Sequence, residues 1–537
     1  MTQFSTVVIG GGFSGAAYAI QAARRLGSAD SDSHSDSHSD SDSAPITIIE
    51  PRAELGGGIA YSSDDPDHRL NAPSLSHFVR PDDPTGFHDW WLRTIGGERD
   101  PEAVTDGGLI FARRADFGRF VRAQLALCGA QVRHLCTQAI AITPARGPSL
   151  AGSDAGTHYQ VALANGASID ANNVVIATGM AAPKWPIVLP SPMSPQTPLQ
   201  IPAQIPSLIQ SPWDLARIRA LPAHVRVLLI GAGLTSYDVM ITLLRAGHRG
   251  QLVTLSRHGL QPQPLLSSLA APAFRNAPAS SNAPADTDSS DPNEAPASIW
   301  ERLQRPVPEF LQFDRQQHRS RALLAQLRRQ IDLSVAHGGH WYEPFDDLRD
   351  TLTRLWRQLS VRDQKQALRH LRSWYDSHRY RLPPPTAAIV NAACEQGQVR
   401  FRSGRILALD ADSVGIALQL DERLLSRSRP KLQRRLIRER FDVVINCTGP
   451  SSAVDEHNPV LASLLNQGLV CRHRNGHGMA VDDNYRLINE AGLAQSKLQA
   501  IGPPTMGSLA DPIGAVFISA HIFRMLSDGA SAQARQR

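Results

Sequence analysis

The stretch Val7-Val8-Ile9-Gly10-Gly11-Gly12-Phe13-Ser14-Gly15 constrains this chain more than any other. An apolar, β-branched run breaks into glycines and then into Ala16-Ala17-Tyr18-Ala19-Ile20, a good helix former. Strand, tight turn and helix in that order predict the first βα unit of a doubly wound α/β sheet. Gly10, Gly12 and Gly15 fit G-x-G-x-x-G. The first glycine permits the tight turn, the second lets backbone approach a pyrophosphate, and the third lets helix pack closely on strand. The helix N-terminus, with Ser14 in its first turn, adds free N–H groups and a partial positive charge for a diphosphate.

A run of Ser, Asp and His from Ser28 to Ser43 follows that helix. It cannot bury a core and is expected to be a disordered insert, and its irregular histidines are not taken as a metal site. The next strand, Pro45-Ile46-Thr47-Ile48-Ile49, ends in Glu50, thirty-five positions after Gly15. Discounting the sixteen-residue insert leaves nineteen, against the roughly twenty expected for an acid that holds an adenosine ribose. Glu50 is therefore a candidate ribose ligand, or else a solvated strand-end glutamate. Gly56-Gly57-Gly58 comes next and would let backbone approach a planar group, with Gly57 at its centre, or simply links two elements. Asn173-Val174-Val175-Ile176-Ala177-Thr178-Gly179 predicts a buried strand with a small-residue turn beside the first unit.

The same grammar returns at Val227-Leu228-Leu229-Ile230-Gly231-Ala232-Gly233-Leu234-Thr235-Ser236. The third glycine is replaced by Ser236, still small enough for close packing. The following strand ends in Ser256-Arg257-His258 rather than in an acid, and an arginine there suits a ribose 2′-phosphate. A second Thr-Gly strand, Val443-Val444-Ile445-Asn446-Cys447-Thr448-Gly449, answers this unit. Between the two lie an Ala/Pro/Ser/Asn/Asp-rich stretch at 271–298, expected to be disordered, and a helical segment at 299–382. Leu348, Leu352, Leu355, Trp356 and Leu359 form a stripe at helical spacing there, read as a buried face. The segment closes on His378-Arg379-Tyr380-Arg381, either a helix terminus with cations on its dipole or part of an anion-binding wall. Near the end, Gly502 precedes Pro503, where many flavoproteins carry an acid for the flavin ribitol, so backbone amides or Asp511 would replace it.

With 537 residues the chain calls for two or three domains. Its 55 basic and 50 acidic residues form no dense block, so nucleic acid is not expected as a partner, and the balance suits small anionic ligands. No apolar run reaches bilayer-spanning length, so no membrane partner is expected. The N-terminus runs straight into a strand, and a cytoplasmic location is expected. Five scattered cysteines without C-x-x-C exclude a dithiol pair or a zinc site of that pattern.

Gly10-Gly11-Gly12-Phe13-Ser14-Gly15, Gly56-Gly57-Gly58-Ile59-Ala60-Tyr61, Leu70-Asn71-Ala72-Pro73, Gly233-Leu234-Thr235-Ser236-Tyr237-Asp238, Ser256-Arg257-His258-Gly259-Leu260 and His378-Arg379-Tyr380-Arg381 together resemble the bacterial FAD/NAD(P)-binding flavin monooxygenases. That group includes FAD-dependent urate hydroxylases (HpyO type) and aspartate N-monooxygenases (CreE type). The resemblance implies FAD on Gly10, Gly12, Gly15 and Glu50, and NADH or NADPH on Gly231, Gly233 and Thr235. It also implies oxygen transfer from a flavin C4a-hydroperoxide to a small anionic substrate. Urate hydroxylation to 5-hydroxyisourate is the leading expectation. Amino-acid N-hydroxylation is the alternative, then an NAD(P)H oxidoreductase that never oxygenates, then a dinucleotide-binding sensor without enzymatic activity. Asn71 is the expected hydrogen-bond donor near the hydroperoxide, and Arg379 and Arg381 are expected to hold an anionic substrate.

The expected architecture is two Rossmann-like dinucleotide-binding domains with an inserted helical segment. Its boundaries are 1–182 for the FAD domain, 183–224 for a Pro-rich linker, 225–440 for the NAD(P)H domain and 441–537 for the return to the FAD domain.

Overall fold

The computed structural model describes residues 3–30, 45–146, 157–188, 208–265, 299–312, 320–412, 415–426, 429–454 and 457–534. Residues 31–43 of the Ser/Asp/His insert and all of 271–298 lie outside the described residues.

The first sheet opens with β1 (Gln3–Ile9), β2 (Ile46–Ile49), β3 (Val132–Leu135), β4 (Ala139–Arg146), β5 (Thr157–Leu163) and β6 (Ser168–Ile176). β1 lies parallel between β2 and β6, and β3 lies parallel outside β2. Residues of β1 alternate between two cores, as a strand buried on both faces must. Val8 joins the side chains of α1 (Phe13–Asp30) and α2 (Arg114–Ala126), while Val7 and Ile9 join Ile142 and Val161 of the β4–β5 hairpin.

The second sheet takes β7 (Leu208–Ile209), β8 (Val227–Ile230), β9 (Leu252–Ser256), β10 (Val399–Asp412), β11 (Gly415–Ser426), β12 (Arg429–Phe441) and β13 (Val443–Asn446), in the order β12-β11-β10-β9-β8-β13-β7. Helix α3 (Leu234–Arg245) covers one face, where Val227 and Leu229 meet Tyr237 and Met240. The β10–β12 meander folds over the other, where Leu228 and Ile230 meet Leu418 and Phe441.

Two sequence expectations need correction here. Leu208–Ile209, inside the expected linker, pairs with β13 as an edge strand. The return to the first domain comes later than 441, because β13 still pairs with β8. Among the described residues, β14 (Arg486–Ile488) and β15 (Ala494–Ala500) rejoin the first sheet, β15 lying parallel to β6.

The helical segment contains α4 (Ser320–Ala336), α5 (Tyr342–Gln358), α6 (Val361–His370) and α7 (Arg372–Arg379), and α8 (Pro384–Glu395) follows just past its expected end. Leu355, Trp356 and Leu359 are buried as the stripe predicts, and Leu348 and Leu352 are half-buried. Although it sits between second-sheet strands in sequence, much of this segment docks on the first unit. Trp356 Nε1 donates to Gly507 O at 2.8 Å, and Thr353 Oγ1 donates to Leu509 O at 3.1 Å. Leu303 packs with Phe78 and with Phe517 of the C-terminal helix α9 (Ala515–Ala534).

Candidate dinucleotide-binding and active site

Each sheet reverses its strand order beside its glycine turn, and in such sheets ligands bind outside the carboxyl ends of the strands at that switch point. In the first, Gly10 follows β1 and Ala177-Thr178-Gly179 follows β6. Gly10 has φ +103°, and a Cβ on it would lie 2.4 Å from Ala177 O. A Cβ on Gly15 would lie 1.9 Å from Gly10 O, so this helix packs on its turn at a distance only glycine allows. Gly12 faces Gly58, leaving a backbone-lined cradle at the start of α1, with Gly57 buried beside it. Such a cradle fits a diphosphate at a helix N-terminus.

Glu50 stands at the end of β2, as the spacing predicts, and is 5% exposed. Its Oε2 accepts from Gly11 N–H at 2.8 Å and its Oε1 from Arg52 Nε at 2.8 Å. Burial alone would raise its carboxyl, but the Arg52 and Gly11 hydrogen bonds outweigh burial and hold it below the usual glutamate range. Ser14 is buried at the other end of the cradle. Gly502, with φ +71°, is so close that a Cβ there would lie 2.7 Å from Ser14 Oγ. Thr178 Oγ1 accepts from Asn458 Nδ2 at 2.9 Å, which anchors the Thr-Gly turn.

The second crevice repeats this geometry. Gly231 has φ +121°, and its Cβ would fall 2.1 Å from Cys447 O, the counterpart of Ala177 O. Gly233 meets nothing within 4 Å, an open face at the start of α3. Ser236 is fully buried, and its hydroxyl donates to Gly233 O at 2.7 Å, tying the turn to the helix. Thr235 is half-buried beside it, and Arg257 is exposed just past β9.

The residues expected to face substrate are distributed differently from the sequence reading. Asn71 is half-buried, and its side chain has no hydrogen-bond partner among the described residues. Arg381 and Arg379, by contrast, are already paired. Arg381 makes two hydrogen bonds to Asp346 and lies over the rings of Trp341 and Tyr342. Arg379 Nε donates to Asp511 at 2.8 Å, beside the hydroxyls of Tyr375 and Tyr380 at 3.0 and 2.9 Å. Asp511 is thus already engaged by three donors, which ties it to α7 rather than leaving it to replace the acid missing at Pro503. Burial opposes ionisation of Asp346, yet Arg349 and Arg381 together bring its carboxyl down to about 2. His77, buried near Arg379, is pushed down to about 4, chiefly by burial.

A polar seam between the two units went unread in the sequence. Arg114 clamps Asp238 of α3 with hydrogen bonds of 2.7 and 3.0 Å. His68 Nε2 lies 3.0 Å from Thr242 Oγ1 and 3.2 Å from Asp238 O, and its Nδ1 lies 2.8 Å from Ser63 Oγ. Thr242 in turn donates to Asp65 at 2.7 Å. A proton on His68 Nε2 can be shared between Thr242 Oγ1 and the Asp238 carbonyl. The partners come from segments far apart in the chain, and of them Asp238 alone lies in a motif singled out in the sequence. Among the described residues no helix is long and apolar enough to cross a membrane, and no group of three or more His, Cys, Asp or Glu is placed to hold a metal.

Residues 7–181 match the model of a protein family described as FAD-NAD(P)-binding. No curated protein matches the chain in sequence. Solved structures match its fold. Reduced ornithine hydroxylase PvdA from Pseudomonas aeruginosa aligns with 98% of this chain and 100% of its own, at 13% identity and a TM-score of 0.52. The ornithine N-hydroxylase KtzI of Kutzneria sp. 744, with reduced FAD, NADP+ and L-ornithine, aligns over 100% of both chains at 12% identity and 0.53. L-lysine 6-monooxygenase from Pseudomonas syringae aligns over 98% of both at 13% identity and 0.56. At these identities the likeness carries the fold. The chain therefore has the two-unit, Rossmann-like α/β fold of these flavin enzymes, with an FAD/NAD(P)-binding domain over residues 7–181.

Proposed function

We propose that the protein is an FAD-dependent, NAD(P)H-consuming monooxygenase that hydroxylates the nitrogen of an amino acid or related amine. One observation carries the reading: two complete glycine-turn crevices lie in a fold that follows ornithine and lysine hydroxylases along nearly the whole chain. Urate, the substrate the sequence suggested first, has no support among these relatives, and the N-hydroxylating alternative takes its place.

FAD fits the first unit. When bound, it takes a hydride from NAD(P)H and activates O2, so that one oxygen atom passes to substrate and the other leaves as water. The chain supplies position and exclusion. Gly10, Gly12 and Gly15 bring backbone and the α1 N-terminus, with Ser14, against the diphosphate. Glu50 accepts from the adenosine ribose on the side now shared with Arg52, whose own side chain is 46% exposed and can yield. Gly57, Thr178-Gly179 and Gly502 line the path of the rest of the cofactor. Gly231, Gly233, Thr235, Ser236 and Arg257 hold the nicotinamide dinucleotide in the second crevice. Asn71, with its amide free, donates to the reacting end of the site. Arg379 and Arg381 act through Asp511 and Asp346, holding the 506–514 loop and α5 in place rather than binding substrate directly.

The reading is tested with purified, FAD-loaded protein given NADPH or NADH and, in turn, ornithine, lysine, aspartate, cadaverine and urate. N-hydroxylation predicts a hydroxylamine product formed in step with NAD(P)H loss for one of the amines. Product from urate alone, or NAD(P)H oxidation that yields only hydrogen peroxide with every compound, contradicts it.

A further inference from the structure

We infer that a cavity in the helical segment, outside both glycine-turn crevices, is a binding site for a free amino acid with an aromatic side chain. The cavity measures about 260 Å³ and lies where α4, α7, the start of α5 and the segment after β9 converge. That is just under the usual span of ligand pockets, about 300–1,000 Å³, and suits a molecule of amino-acid size rather than a dinucleotide. None of its lining residues belongs to a glycine turn, to a Thr-Gly strand or to the stretch around Asn71. The inference therefore stands apart from the proposed reaction. Trp341, just before α5, and Trp374 and His378, one turn apart on α7, form aromatic walls. The centre of the His378 ring lies 4.4 Å from that of Trp374 and 5.2 Å from that of Trp341, the latter pair at 88°. This corner is set before any ligand arrives. Arg381 lies 5.3 Å over the Trp341 ring and is itself locked to Asp346. A flat ring in such a corner meets one wall with its face and another with its edge, the arrangements aromatic groups prefer.

The polar groups along the cavity are unmet. The indole N–H groups of both tryptophans, the Gln263 side-chain amide and His378 Nε2 have no hydrogen-bond partner among the described residues. His378 Nδ1 lies 2.8 Å from Trp374 O, which places the proton there, and burial holds the ring below the usual histidine range. Nε2 is thereby left as an acceptor. Arg328 and Asp332 line the cavity from α4, four residues apart. Opposite charges at that spacing can close an ion pair along a helix, and Arg372 and Asp376 on α7 do so at 2.7 Å. Arg328 and Asp332 form no ion pair with each other or with any other described residue, although both border the same space. A lone arginine without a partner is an ordinary surface feature, but here the matching carboxylate stands one turn away and is not used. A free amino acid supplies what the two lack. Its carboxylate matches the Arg328 fork, its ammonium matches Asp332 and His378 Nε2, and its side chain lies against the indoles. A simple amine leaves Arg328 unmet and a simple carboxylate leaves Asp332 unmet, so the pair selects a zwitterion.

The test is calorimetric titration of FAD-loaded protein, without NAD(P)H, for wild type, Asp332→Asn and Arg328→Gln. The probes are L-phenylalanine, phenethylamine, 3-phenylpropionate and L-alanine, so that each of the last three lacks one feature of the first. Both substituted residues are exposed, and the variants should melt as wild type does. Wild type should take up one L-phenylalanine per chain and bind it about tenfold more tightly than any of the other three. Asp332→Asn should weaken L-phenylalanine about tenfold and leave 3-phenylpropionate unchanged. Arg328→Gln should weaken L-phenylalanine equally and leave phenethylamine unchanged. L-phenylalanine binding that survives both variants lies elsewhere and overturns the site. Phenethylamine or 3-phenylpropionate binding as tightly as L-phenylalanine overturns the selection of a zwitterion, and L-alanine doing so overturns the aromatic walls. No uptake of any probe overturns the inference outright. None of these results bears on amine hydroxylation, which the product assay decides by itself.

Discussion

Gly10→Ala and Gly231→Ala form a matched pair that separates the two crevices. Each glycine has a positive φ, which costs an L-residue about 1–2 kcal/mol. Each added Cβ would also fall 2.4 or 2.1 Å from a carbonyl oxygen of the adjoining Thr-Gly strand. That is roughly an ångström inside ordinary contact, and overpacking of this kind costs about 1–3 kcal/mol. The combined local cost is about 2–5 kcal/mol, less than the usual stability of a folded domain of about 5–15 kcal/mol. The protein should fold with a distorted turn. If about 2 kcal/mol of that cost is relieved by moving the turn away from its ligand-binding shape, affinity at that site falls about thirtyfold. Gly10→Ala should then purify with little flavin and require added FAD, while Gly231→Ala should keep its flavin and show a raised KM for NAD(P)H. Flavin content from visible absorbance and KM from initial rates measure the two effects separately. Loss of flavin in Gly231→Ala with an unchanged nicotinamide KM would refute the assignment of one cofactor to each turn, and so would wild-type behaviour of both variants.

Three further outcomes follow from the same geometry. Glu50 is held ionised by Gly11 and Arg52, with a folded-state pKa below its unfolded one. Its contribution to stability is therefore present above the usual glutamate range and is lost as pH falls through that range toward the folded value. Glu50→Gln should melt a few degrees below wild type at neutral pH, and the gap should close in acid. An equal gap at both pH values would contradict this. Arg381→Ala leaves Asp346 buried with only part of its charge met, so chemical denaturation should show a loss of about 2–3 kcal/mol while the substrate KM stays unchanged. Unchanged stability with a raised KM would return Arg381 to the substrate. Asn71→Ala should go on oxidising NAD(P)H while product formed per NAD(P)H falls about tenfold, the scale of one lost hydrogen bond of about 1.4 kcal/mol. Unchanged coupling would remove Asn71 from the reacting end.

The parts of this fold that were legible in the sequence are those carried by local pattern. β-branched runs ending in glycine mark β1 and β8 because a sharp turn after a buried strand needs residues that tolerate positive φ. The two Thr-Gly strands are equally plain. The insert could be subtracted because it changes loop length without touching the strands on either side, and Glu50 lands at the end of β2 as a result. What stayed hidden depends on distant partners. Arg379 and Arg381 look like free cations in sequence, and only the fold delivers Asp511 and Asp346 to them. Helices α5 and α7 lie in the second unit by chain order, yet Trp356 and Tyr375 reach across to Gly507 and Asp511. Strand β12 is rich in arginine, which masks its strand character until its pairing along β11 is seen. The His68–Thr242 and Arg114–Asp238 seam joins side chains that no local periodicity connects.

The central claim is that two dinucleotides meet in one protein to oxygenate an amine. It is tested most directly by the visible spectrum of the purified protein, followed by NADPH oxidation with ornithine, lysine, aspartate, cadaverine or urate while product is assayed. The account predicts a yellow protein whose NADPH consumption rises with one amine and is matched by its hydroxylamine. A colourless protein that takes up no FAD would contradict the account at its first strand. A yellow protein that converts urate but none of the amines would contradict the proposed substrate class.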